Sequence, residues 1–159
     1  MENKHQILKQ RVRQFALCIL HLFQSVPKSQ EGRLLGRQLL RAGTAVAANF
    51  RAVGQARSRA EFNARMGMVV EEINQVILCA KLIADAGIVP PRRLADLHRE
   101  SSELMAYFAA SQHRAKSRLP NGMASDQATI EPPDEPMIVR TDVAMARSAD
   151  SPELSAPCL

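Results

Sequence analysis

The sequence predicts an all-α fold, an up-down-up-down four-helix bundle. Apolar residues recur at intervals of three and four through four successive segments, which is the period of an amphipathic helix. Short links containing proline, glycine and serine separate these segments. The composition agrees with an aliphatic bundle core, because 46% of the residues are hydrophobic and only 4% are aromatic.

The chain divides into a basic bundle, predicted over residues 1–118, and an acidic tail, predicted over residues 119–159. Residues 1–119 contain 19 Lys and Arg against nine Asp and Glu, whereas residues 120–159 contain two against seven. The second part also holds six of the nine prolines and has no periodic apolar pattern. We therefore expect the tail to be disordered.

The first helix is predicted from about Lys4 to Gln24, with one apolar seam. Its basic start and the apolar run 15–23 superficially resemble a signal peptide, but His21 interrupts the run and no small-residue cleavage site follows. No segment approaches the roughly 20 apolar residues of a membrane span, so we expect a soluble cytoplasmic protein with no membrane partner. The seam consists of Leu8, Val12, Phe15, Ile19, Leu22 and Val26.

The second helix is predicted from about Gln30 to Ala56, with Ser29 as an N-cap that accepts a hydrogen bond from the first turn. Its small-residue run 42–48 includes Gly43, which costs roughly 1 kcal/mol relative to alanine in a helix interior. Such residues permit another helix to approach closely, either from the same bundle or from another subunit. The predicted seam consists of Leu35, Leu39, Ala42, Val46, Asn49 and Val53.

The third helix is predicted to begin at Ser58-Arg59-Ala60-Glu61, a capping box in which the serine and glutamate side chains satisfy each other's backbone N–H groups. It is expected to end near Ala86, before Gly87. The fourth helix is predicted to open at the two prolines 90–91 and to end near Lys116. The third seam consists of Phe62, Met66, Val69, Ile73, Val76, Ala80 and Ile83, and the fourth of Leu94, Leu97, Ser101, Leu104 and Phe108.

Nothing in the sequence predicts an enzyme, a metal site or a cofactor. A di-iron bundle needs Glu-x-x-His pairs, but the residue three positions after Glu72 is a glutamine and the one after Glu100 is a glutamate. The four histidines show no ligand spacing, and the three cysteines form no CxxC pair. Cys18 and Cys79 are expected to be buried core thiols.

Two polar residues near the apolar seams are expected to have structural roles. Asn49 lies at the edge of the second seam, where its amide must find hydrogen-bond partners. The favoured interpretation is a bond to another helix that fixes the register, and the alternative is contact with a ligand. Glu72 is expected to face an arginine or an amide across the bundle.

The second helix and its link form an arginine-rich stretch, because residues 32–60 contain six arginines and no acidic residue. Four of these arginines fall within an arc of about 80° opposite the apolar seam, at roughly 100° per residue. Like charges at this spacing weaken a helix, so an anionic partner is an alternative to a merely solvated face.

No aromatic residue for base stacking lies among these arginines, which favours backbone contacts of low specificity with RNA or DNA. The predicted binding residues are Arg33, Arg37, Arg41, Arg51, Arg57, Arg59 and Arg65. The alternative function is a structural or adaptor protein whose basic face docks an acidic protein partner or its own tail.

Residues 38–51, QLLRAGTAVAANFR, resemble the signature of the bacterial four-helix bundle protein family. The match continues through residues 56–62, Glu72 and residues 82–88, and it covers about residues 8–115. That family includes proteins encoded within intervening sequences of 23S ribosomal RNA genes. It is related to the accessory variability determinant of diversity-generating retroelements.

The resemblance implies a bundle that assembles into a ring-like homopentamer. In the retroelement relatives a basic surface engages RNA and a reverse transcriptase, so ribosomal RNA or a reverse transcriptase is an implied partner here. Acidic residues are common in the family where this chain has Ala52 and around Asn74, Gln75 and Ile77. Their absence makes the two middle helices more basic.

Overall fold

The computed structural model describes residues 4–117, which form four α-helices and no β-strand. The predicted all-α four-helix bundle is confirmed. The tail predicted over residues 119–159 lies outside the described residues. The helices are α1 (Lys4–Ser25), α2 (Gln30–Val53), α3 (Arg59–Asp85) and α4 (Pro91–Ser117).

Consecutive helices pack against each other, and α1 and α4 close the bundle with the smallest contact. Ring contacts mark one end of the bundle. His5 in α1 stacks on Phe50 in α2, and the ring centroids of Phe50 and Phe108 in α4 lie 5.4 Å apart. The start of α1 and the ends of α2 and α4 therefore share that end, and the α1–α2 and α3–α4 links share the other.

The predicted seams meet in a single core. All the seam residues named for the first and fourth helices are buried, and so is most of the other two seams. Leu35 and Phe62 are only partly buried and pack against the margin of the core. Cys18 and Cys79 are buried free thiols, as expected of small core residues.

Helix α2 ends at Val53, before the predicted Ala56. Gly54 caps the helix, and the N–H groups of Gln55 and Ala56 bond to carbonyls three residues back instead of four. The backbone thus tightens after the helix-weakening glycine. The link then reaches Ser58, which begins the next helix.

Gly43 lies where α2 packs tightly against α1. A Cβ atom at this position would lie 2.4 Å from Cδ1 and 3.0 Å from Cγ2 of Ile19, which is fully buried. The contact of this small residue is therefore within the bundle.

Candidate nucleic-acid interface

The outer face of α2 carries the α2 arginine stripe, which consists of Arg33, Arg37, Arg41 and Arg51. All four side chains are exposed, because the opposite face of the helix packs into the core. At about 1.5 Å per residue, the stripe extends roughly 27 Å along the helix. Its second half is sparser, since exposed Thr44 and Ala48 occupy the face between the last two arginines.

Arg41 is the arginine of the stripe that reaches an acidic side chain. Its Nη1 lies 3.5 Å from Oε1 of Glu72 in α3, and its Nε donates to Oε1 of Gln38 at 3.3 Å. The Arg41 side chain is 57% exposed, so this long ion pair contributes little stability. Within residues 4–117, Oε2 of Glu72 is buried without a hydrogen-bond partner. Glu72 therefore faces an arginine across the α2–α3 contact, through one oxygen.

The other three arginines of the stripe make no hydrogen bond or ion pair through their side chains in the described part of the chain. Each therefore presents a full positive charge to solvent.

The capping box at the start of α3 differs from the predicted arrangement in one bond. Oγ of Ser58 accepts from the Glu61 N–H at 3.1 Å, as expected. The Glu61 carboxylate accepts instead from the N–H of Arg57 at 2.9 Å, one residue before the N-cap. Its other oxygen accepts from Nε and Nη2 of Arg65 at 2.9 and 2.6 Å. These two donors, the Arg57 N–H first, lower the pKa of Glu61.

The structure divides the seven predicted binding arginines into two groups. The first group, Arg33 and Arg37, lies near the α1–α2 link. The second group lies near the α2–α3 link and consists of Arg51, Arg57, Arg59 and Arg65. Arg41 lies between the two groups. Arg65 is held by Glu61 and Arg59 is half-buried, so neither presents a fully exposed charge. Exposed arginines near the α2–α3 link are Arg51 and Arg57.

Asn49 is half-buried, and within residues 4–117 its side chain makes no hydrogen bond. The predicted bond to another helix is thus not formed among these residues. The more deeply buried amide is Asn63, which is 9% exposed and lies beside Phe62 of the third seam. Its backbone oxygen accepts from Nε2 of Gln112 at 3.2 Å, and its own Oδ1 lacks a partner in the described range.

Sequence reasoning missed the ion-pair cluster that joins α1 to α4. Nε of Arg11 lies 2.5 Å from Oε1 of Glu100, and Nη2 lies 2.8 Å from Oε2, a bidentate pair. Nη2 also donates to Glu103 at 2.5 Å. The hydrogen bond to Glu100 is the main reason that the pKa of Arg11 is raised. A usable signal was present, because Arg11 and Glu100 each lie three residues after a leucine of an apolar seam, Leu8 and Leu97.

An open depression of 430 Å³ lies at the α1–α2 end of the arginine stripe. Its walls are formed by Lys28 in the link and four residues of the first two turns of α2. No acidic side chain lines it. The lining residues are Lys28, Gln30, Arg33, Leu34 and Arg37.

Residues 4–117 contain no group of three or more His, Cys, Asp or Glu side chains that could hold a metal ion. None of the four described helices is both long enough and apolar enough to cross a membrane.

The fold is similar to that of a solved protein of unknown function from the S23 ribosomal protein family of Bacteroides thetaiotaomicron. The two chains superpose with a TM-score of 0.65 at 23% sequence identity, over 70% of this chain and 99% of that chain. A likeness at this level of identity shows a shared fold. No family model matches the sequence, and no curated protein matches it.

Proposed function

We propose that this chain is a non-enzymatic nucleic-acid-binding protein that holds the phosphate backbone of RNA or DNA through the α2 arginine stripe. The observation that carries the proposal is the exposure of Arg33, Arg37 and Arg51 without an acidic partner in the described range. Exposed Arg57 continues the positive surface beyond the helix. Solvated helix faces usually mix both charge signs, since acid–base pairs support the helix.

The proposed contacts imply a definite dependence on salt. Each neutralised phosphate of duplex DNA adds about 0.9 to the magnitude of the negative slope of log affinity against log salt concentration. If each of the four arginines of the stripe neutralises one phosphate, the affinity should fall about 100-fold when the salt concentration rises from roughly 50 to 200 mM. Single-stranded targets give a smaller slope, about 0.7 per phosphate.

The resemblance in the sequence supports the proposed partner and the proposed assembly. The ribosomal family of the structural neighbour and the signature in residues 38–51 both favour RNA, either ribosomal RNA or the RNA bound by a reverse transcriptase. We also propose a cytoplasmic homo-oligomer, a pentameric ring. Self-association is supported by three large apolar side chains exposed on α3, namely Met68, Leu78 and Leu82.

Fluorescence anisotropy with labelled RNA and duplex DNA at low and moderate salt tests the proposal. A triple variant with Arg33→Gln, Arg37→Gln and Arg51→Gln should lose most of its affinity and stay folded, because these side chains make no bond among residues 4–117. A matched control changes three other exposed basic residues to glutamine, namely Arg13, Arg92 and Arg93. Equal loss of affinity in both variants would mean that binding depends on total positive charge and not on the stripe. Absence of binding by the wild type would end the proposal.

A second candidate function is an adaptor whose basic face docks an acidic protein segment. The observation in its favour is the position of the α4 end. Gln112 bonds to Asn63 near the start of α3, so the acidic segment 120–159 follows from the end that carries Arg57. Truncation after Leu119 should strengthen polyanion binding if this segment occupies the basic surface. Unchanged affinity would show that it does not compete.

A further inference from the structure

The depression at the α1–α2 end concentrates positive charge more than any other part of the arginine stripe. Its cations are Lys28, Arg33 and Arg37, and within residues 4–117 none of them forms an ion pair. The acidic residue that is adjacent in sequence, Glu31, lies about 120° around the helix from Arg37, at roughly 100° per residue. The three positive charges are therefore not neutralised from within the described chain.

We propose that this depression, which we call the end pocket, binds the terminal phosphate of a nucleic-acid strand whose backbone then follows α2 towards Arg51. The inference rests on the proposed function and adds a ligand group and a polarity to it. It assigns the first two turns of α2 to a strand end and the rest of the stripe to internal phosphates.

The charge of the two kinds of phosphate decides between an end and an internal position. An internal phosphodiester carries a single negative charge, whereas a phosphate monoester carries about −1.5 to −2 at pH 7 and presents three acceptor oxygens. Three cations around one depression match the monoester, and guanidinium groups bind phosphate through two parallel hydrogen bonds. Arg41 and Arg51, separated by about 15 Å along the helix, suit phosphates that carry one charge each.

The position of the end pocket also fits a strand end. The stripe starts there, because α2 begins at Gln30 and the chain turns back into α1 through Lys28. Leu34 forms part of the wall and is 62% exposed. Its side chain gives an apolar surface for the sugar or base of the terminal nucleotide.

Oligonucleotides that differ only at their ends test the proposal. One sequence is prepared with a 5′-phosphate, with a 3′-phosphate and with hydroxyl groups at both ends, and each is measured by anisotropy against the full chain. One phosphorylated form should bind about tenfold tighter than the hydroxyl form, the size of effect expected of charged hydrogen bonds. The phosphorylated form with the higher affinity shows whether the 5′ end or the 3′ end of the strand lies in the end pocket.

Two variants separate the end pocket from the backbone contacts. Arg33→Gln with Arg37→Gln should remove the advantage of the phosphorylated end. Arg51→Gln should weaken all three oligonucleotides by the same factor and leave that advantage intact. An advantage that persists in the first variant would overturn the assignment to these residues.

The advantage should also depend on pH. The second pKa of a phosphate monoester is about 6, so its second charge is lost below that value. The preference for the phosphorylated end should therefore shrink between roughly pH 7.5 and pH 5.5. A preference that stays constant across this range would contradict recognition of the dianion.

The result that overturns the end pocket differs from the result that overturns the proposed function. If phosphorylated and hydroxyl ends bind equally tightly and with the same salt dependence, the end pocket is wrong and backbone binding stands. If no oligonucleotide binds at low salt, the proposed function itself is wrong.

A competition experiment tests the role of Leu34, with inorganic phosphate and a nucleoside monophosphate as competitors of the phosphorylated oligonucleotide. The monophosphate should compete better because of Leu34, and equal competition would contradict the role of that leucine.

Discussion

At the scale of single residues, Arg11 is a polar side chain whose loss should destabilise the bundle. It joins α1 to α4, the pair of neighbouring helices with the smallest contact, through the nearly buried carboxylate of Glu100. Removing one member of such a pair leaves an uncompensated charge in a poorly solvated position. The stability of the α1–α4 contact therefore depends on an ion pair as well as on apolar packing.

We expect Arg11→Met to lower the free energy of unfolding by about 3 kcal/mol, the lower end of the range for a broken buried pair. The lower end applies because the Arg11 side chain keeps 18% of its exposure. Urea denaturation followed by circular dichroism measures the change, with exposed Arg13→Met as the control. Adding Glu100→Met should recover most of the loss, since both partners are then apolar. No recovery in the double variant would mean that Arg11 acts through packing alone.

Glu61 makes the stability of the α3 start dependent on pH. Its pKa is lowered in the folded chain by the Arg57 N–H and then by Arg65, so the unfolded chain takes up a proton at higher pH than the folded chain. The contribution is complete above the ordinary glutamate pKa, about 4.3, and is lost as the pH falls through the lowered value. Stability of the wild type should therefore fall more steeply below about pH 4.5 than that of Glu61→Gln. Parallel pH profiles of the two unfolding free energies would refute this role.

At the scale of helices, the contact of α1 with α2 depends on the absence of a side chain at Gly43. Gly43→Ala gains roughly 1 kcal/mol of helix propensity but forces Ile19 to move within a packed core, which costs typically 1–3 kcal/mol. We expect a net loss of stability in thermal unfolding. Gly54→Ala is the matched control at the end of the same helix, because a Cβ atom there meets nothing closer than 3.5 Å. A variant of Gly43 as stable as the wild type would show that the core adjusts to the added methyl group.

The helices could be predicted from the sequence because each has an apolar seam with one period and a chemical signal at its ends. Ser29 and Ser58 cap α2 and α3 through their hydroxyl groups, and Gly87 takes a positive φ of 67° after α3. Such signals are local, so they need no knowledge of the neighbouring helix. The pairing of Arg11 with Glu100 spans 89 positions and depends on how α1 and α4 face each other. The spacing after Leu8 and Leu97 places each residue beside an apolar seam, but no local pattern shows that the two residues meet.

The candidate site could be predicted only in part, for a similar reason. The periodicity placed the four arginines of the stripe on one face, because that follows from helix geometry alone. The periodicity could not show that Arg65 forms an ion pair with Glu61, or that Arg41 forms one with Glu72, since both contacts depend on side-chain conformations. The end pocket likewise includes Lys28, which lies outside the helix and which the chain brings to α2 through the bend of the link.

At the scale of the whole molecule, the length of the stripe sets the size of the nucleic-acid site. One subunit presents arginines over roughly 27 Å, and a strand in a duplex rises about 3.4 Å per nucleotide. About eight nucleotides therefore span the stripe. Affinity should rise with oligonucleotide length up to this size, because a longer strand bound at the end pocket reaches first Arg41 and then Arg51.

Beyond about eight nucleotides, the response to length tests the proposed assembly. A monomer offers no further arginines of the stripe, so its affinity should reach a plateau. In a homo-oligomer, a longer strand can reach the stripe of a second subunit, and the second contact forms at a high effective concentration. We therefore expect a second rise in affinity for oligonucleotides of two site lengths or more, together with a multimeric mass in light scattering. Leu78→Glu on the exposed face of α3 should lower the mass and abolish the second rise while leaving the first intact. A single plateau from a protein of multimeric mass would mean that the assembly holds the stripes too far apart for one strand to join them.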